Sequence, residues 1–93
     1  MLDLYAAFAR FDEEYLNFDC VEAKPHPRRD LCAFMLLDAL VPGHHPLILA
    51  AEHDVVYLDI DCTALATVAS EADIRTLVRC GVRFDGEHLS LFA

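Results

Sequence analysis

Positive charge is what this chain has least of. Lys24 is its single lysine, and six arginines bring the formal cations to seven, against 16 acidic residues and a net charge of −9. Binding a polyanion by counterion release requires clustered cations. Without such a cluster, direct binding to nucleic acid or to an anionic membrane is not expected. Glycine is also scarce: Gly43, Gly81 and Gly86 are the only three, too scattered to form a phosphate-cradling loop. No apolar run approaches the ~18 residues that span a bilayer, and Asp38 interrupts the best candidate, LCAFMLLDALV. The opening MLDLYAAFARFDEE has neither the basic stretch nor the long apolar core of a secretory signal. No C-x-x-C occurs among Cys20, Cys32, Cys62 and Cys80. Three of the four lie in or beside expected helices, where cysteine acts as a small apolar filler. Reduced thiols in a cytoplasm are the consistent expectation.

Apolar side chains, by contrast, are plentiful. At 56% hydrophobic content the chain has ample surface to offset its ordering entropy, and its 93 residues suit one domain, 1–93. A domain of this size buries only roughly 60–65% of its unfolded surface. Some apolar residues should therefore stay outside as a contact surface, and self-association as a homodimer is an expectation.

The stretch LILAAEHDVVYLDID, residues 47–61, reads as two strands joined by a turn at Glu52-His53-Asp54. Val56, Leu58 and Ile60 alternate with Tyr57, Asp59 and Asp61, which sets an aliphatic row against a wet face. Such a strand belongs to an antiparallel sheet roofed by helices on its dry side. Spacing predicts an amphipathic helix over residues 2–16, with Leu4, Phe8, Phe11 and Tyr15 inward. Residues 17–29 read as a loop or short strand, made extended by Pro25-His26-Pro27. Residues 28–41 predict the most buried helix, with Leu31, Phe34, Met35 and Asp38 on its central stripe, ended by Pro42-Gly43. Asp61 is a cap for a short helix over 62–68, and Ser70 to Asp73 resembles a capping box for a helix over 71–80. Asp85-Gly86 between short alternating runs predicts a second hairpin. The fold class is α+β: a small antiparallel sheet of about four strands in two hairpins, covered on one face by three to four helices.

Val55-Val56-Tyr57-Leu58-Asp59-Ile60-Asp61-Cys62-Thr63 resembles the first signature of the haloacid dehalogenase superfamily, an apolar strand followed by D-x-D-x-T. The resemblance implies a magnesium-dependent phosphatase-like enzyme with Asp59 as nucleophile and Asp61 as acid/base. It also implies a larger parallel sheet and a phosphate-holding lysine, and no lysine follows Thr63. Two carboxylates on a wet strand face, one of them capping a helix, account for the same residues. His26, His44, His45, His53 and His88 add zinc donors, but no H-x-x-x-H exists, and Cys20 with His26, or His44 with His45, are the nearest pairs. No metal or cofactor is therefore expected.

What remains is a non-catalytic module that binds another protein, one with a basic surface. Inhibition or adaptation of a nucleic-acid-binding partner, including DNA mimicry, falls in this class. The expected contact residues are Tyr5, Asp12, Glu13 and Glu14 on the first helix, and Tyr57, Asp59 and Asp61 on the wet strand face. Arg75, Arg79 and Arg83 are expected to pair with nearby carboxylates.

Overall fold

A computed structural model describes residues 1–22 and 24–92. Four antiparallel strands form one sheet in the order β1-β2-β4-β3: β1 Ile48–Glu52, β2 Val55–Leu58, β3 Val82–Phe84 and β4 Leu89–Phe92. Four helices pack against one face of it: α1 Leu4–Arg10, α2 Arg29–Leu40, α3 Cys62–Val68 and α4 Glu71–Arg79. Both expected hairpins form, and the architecture is the α+β arrangement expected from periodicity. No helix among the described residues is long and apolar enough to cross a membrane.

Cross-strand pairs share a face, so the register sorts the side chains. Leu58 pairs with Leu89, and Leu89 with Phe84; Val56 pairs with Leu91, and Leu91 with Val82. These residues face the helices, and Leu58, Val82, Leu89 and Leu91 are almost wholly buried. The opposite face carries Tyr57, Ser90 and Arg83 in one row. Leu37, Leu65, Ile74 and Leu77, all fully buried, supply the helical side of the core.

Local signals set most element ends. Asp61 Oδ1 accepts from the backbone N–H groups of Thr63 and Ala64 at 3.0 and 3.1 Å, capping α3. Ser70 and Asp73 form a reciprocal capping box on α4. Gly81 follows α4 with φ +96°, where a Cβ would collide with the Arg29 guanidinium and the Leu16 side chain. The second hairpin closes through a four-residue loop rather than a tight Asp-Gly turn. Asp85 Oδ1 there accepts from the N–H groups of Glu87 and His88, each at 2.8 Å.

Three elements depart from expectation. The first helix ends at Arg10 and continues as a 3-10 turn, Asp12–Glu14, because tertiary partners override its periodicity. Leu16 takes a left-handed φ of 66° and donates its N–H to the Val78 carbonyl at 3.2 Å. In the loop before α2, a 3-10 turn, Phe18–Cys20, replaces the short strand. On α2 the buried residues are Cys32, Ala33 and Leu37, whereas Leu31 and Met35 are 37% and 47% exposed and Asp38 faces solvent. A helix apolar around its whole circumference does not specify its inner face. Here the small Cys32 and Ala33 go inward, and the bulkier stripe stays out.

Leu37→Ala should therefore lower unfolding free energy by about 2–5 kcal/mol, as loss of a fully buried leucine does. Met35→Ser should change it by no more than ~0.5 kcal/mol. Urea titration of both variants checks the assignment; equal losses would contradict it.

Candidate functional site

The seven residues singled out on the sequence separate into distinct environments. Tyr5 and Asp12 line a groove of about 330 Å³ between α1 and β3, floored by Phe8, Tyr15 and Phe84 and flanked by Arg83. The Arg83 guanidinium lies 3.8 Å from the centre of the Tyr15 ring, a cation–π contact that uses the one basic group lining that groove among the described residues. Glu13 is exposed on the 3-10 turn. Tyr57 is half-buried on the open sheet face, paired with Ala50 and Ser90.

Glu14 turns inward instead of outward. Its Oε1 accepts from Arg75 Nε at 2.9 Å and from Arg79 Nε at 2.9 Å, tying the 3-10 turn to α4. Hydrogen bonding from Arg75, opposed by partial desolvation and reinforced by Arg79, holds the Glu14 carboxyl below its ordinary range. Arg79 Nη1 also donates to the Cys20 carbonyl at 2.9 Å. Glu14 is thus an internal clamp, while Asp12 and Glu13 remain open to solvent.

Asp59 and Asp61 come together on a second cleft of about 240 Å³, where the end of α2, the connector into β1 and the start of α3 meet. Asp38 and His45 line it too. Asp59 is held by its N–H, which donates to the Leu47 carbonyl at 2.6 Å. Its Oδ2 lies 3.7 Å from His45 Nδ1, which also sits 3.0 Å from the Pro46 carbonyl. Asp61 spends Oδ1 on the α3 cap. Among the described residues, no three histidine, cysteine or carboxylate groups are gathered to hold a metal. Cys20 is exposed, Cys62 partly so, and Cys32 and Cys80 are buried, all as free thiols. Burial, with the Cys32 thiol beside it, pushes the Cys80 thiol up to about 12, which makes it inert at neutral pH. Asp59 and Asp61 thus share a cleft, with one Asp61 oxygen already engaged in the α3 cap. The antiparallel sheet is not the large parallel one that the D-x-D-x-T resemblance implies.

Two features escaped sequence reasoning. One is the apolar hollow of about 310 Å³ lined by Phe34, Pro46, Leu47 and Ile48, contiguous with the acidic cleft through Leu47. The other is strand β1, exposed at every residue although most of it is apolar. A gap in the cations was the available signal: no lysine or arginine occurs between Arg29 and Arg75.

The Glu14 clamp has an acid signature. Its folded pKa lies below the reference value of 4.5, so its contribution is present above that pH and is lost as pH falls through the folded value. Glu14→Gln should lower Tm at pH 7, and the difference from the parent should shrink below pH 4.5. Thermal melts across pH check this; a pH-independent difference would contradict it.

No protein family matches this chain, and no curated protein or solved structure is significantly similar to it.

Proposed function

We propose that this protein is a non-catalytic module that recognises a protein with a basic surface, acting as an inhibitor or adaptor in the cytoplasm. One observation carries the reading: six of the seven cations, all but the exposed Arg28, are engaged within the chain, while many acids are not. Arg10 pairs with Glu71, and Arg75 and Arg79 with Glu14. Arg29 donates to the Cys80 and Phe92 carbonyls, Arg83 stacks on Tyr15, and Lys24 lies 4.9 Å from the Phe18 ring centre. Asp12, Glu13, Asp38, Glu52 and Asp54 take part in no side-chain hydrogen bond or ion pair among the described residues. The outward field is negative, which steers a cationic partner and disfavours a polyanion. Four free thiols suit a reducing compartment.

A second reading is favoured by the joint placement of Asp59 and Asp61 on one cleft: a metal-dependent phosphatase-like enzyme. Calorimetry with magnesium and a phosphatase assay separate the two. Heat of binding with turnover would replace the binding-module proposal.

For a partner recovered by affinity capture, the double variant Asp12→Lys, Glu13→Lys should slow association several-fold at low salt with little change in off-rate. Surface plasmon resonance across ionic strengths measures this. An unchanged on-rate would remove the first-helix surface from the binding face.

A further inference from the structure

The two edges of the sheet are treated differently. Edge strand β3 lies against α1 and α4: Val82 is buried, the Phe84 ring is 6.0 Å from the Phe8 ring, and the exposed Arg83 folds onto Tyr15. Edge strand β1 is open along its length. Natural edges are usually blunted by lysine, proline, inward charge or a β-bulge; Ile48-Leu49-Ala50-Ala51 carries no lysine, proline or charge, and its one irregularity is the shift between Ile48 and Ala50. A register shift between Ile48 and Ala50 leaves Ile48 and Leu49 52% and 54% exposed. Glu52 and Val55 flank the two-residue turn, so they exchange backbone hydrogen bonds. Ala51 pairs with Val56 in the alternate, non-bonded position, and its N–H and C=O point out from the sheet.

The ground around this edge is acidic at both ends. Beside its start lies the cleft of Asp38, Asp59 and Asp61; at its far end stand Glu52 and Asp54. Between them is the apolar hollow of Phe34, Pro46, Leu47 and Ile48. From residue 30 to residue 74 the chain has eight carboxylates and no lysine or arginine (Asp30, Asp38, Glu52, Asp54, Asp59, Asp61, Glu71, Asp73). A second copy pairing along β1 would set this cation-free half against itself. Opposite charge favours a different occupant.

We propose that β1 is a docking edge for an extended segment of another protein, apolar in its middle and basic at both ends. The segment adds a fifth strand antiparallel or parallel to β1 through the free backbone groups around Ala51. One apolar side chain fills the hollow at Phe34 and Ile48. Lysine or arginine side chains reach Asp38 and Asp59 at one end and Glu52 and Asp54 at the other. This rests on the basic-partner reading and adds to it the site, the backbone conformation and the charge pattern of the ligand.

Three capped nonapeptides test it by isothermal titration: Lys-Lys-Val-Thr-Val-Thr-Val-Lys-Lys, its version with glutamate for lysine, and Lys-Lys-Gly-Ser-Gly-Ser-Gly-Lys-Lys. The first should bind at least tenfold more tightly than the other two. Ala51→Pro, which removes an outward N–H at a position where an edge strand tolerates proline, should weaken it at least tenfold. The double variant Asp38→Asn, Asp59→Asn leaves the strand untouched and should weaken it several-fold. Equal binding of the glycine-serine peptide, or full affinity in both variants, would overturn the edge while leaving the basic-partner reading standing. Failure of every cationic peptide at low salt would overturn both. Sedimentation showing a dimer that Ala51→Pro dissolves would assign the edge to a second copy and overturn the proposal.

Discussion

The long-range polar contacts of the fold are set by how seven cations are distributed among 16 acidic residues. Glu14 takes two of them, Arg75 and Arg79, and that clamp ties the 3-10 turn after the first helix to α4, next to the left-handed Leu16 and the Arg83–Tyr15 contact. Arg29 takes another role, bridging the start of α2 to the Cys80 and Phe92 carbonyls at 2.9 and 2.6 Å. Cationic groups thus join elements far apart in sequence. Beyond Arg29 itself, the half built from α2, β1, β2 and α3 has none, and among the described residues no lysine or arginine pairs with its acids.

That division explains why one sheet edge is finished and the other is open. On the β3 side, the Phe8–Phe84 contact and the Arg83–Tyr15 pair tie the strand to the first helix and the turn after it. On the β1 side, aliphatic side chains and unpaired backbone lie between two acidic margins. Exposed apolar area of this kind marks a contact surface in a small domain. The charge around it restricts what can approach, since like charge is repelled before short-range contacts form.

Much of the architecture was legible in the residues. Alternation at Val56 and Leu58 located the central strand and its dry face, although the strand ends before Ile60, and Asp61, Ser70 and Gly81 marked helix ends through side-chain and backbone chemistry that is local by nature. What was not legible depended on partners distant in sequence. Periodicity over residues 2–16 carried no information about Arg75 and Arg79, so the early end of α1 was invisible. The stretch 29–40 is apolar on nearly every side, so which face turned inward was decided by close packing of Cys32 and Ala33 and not by hydrophobicity. For the candidate site, Asp59 and Asp61 lie past the end of β2, not on its wet face as the alternation suggested, and line one cleft, whereas Glu14 pairs with Arg75 and Arg79. The open edge at Ile48 and Leu49 could not be read from a strand that looks like any buried one.

The most direct test of a cation-free recognition face is residue-resolved NMR titration with a short lysine-rich peptide at low ionic strength. Amide shift changes should concentrate in residues 38–61, on the α2 end, β1 and the acidic cleft, and fade as salt is added. Changes concentrated instead on α1, α4 and β3, or spread evenly over the surface, would contradict a recognition face of this kind.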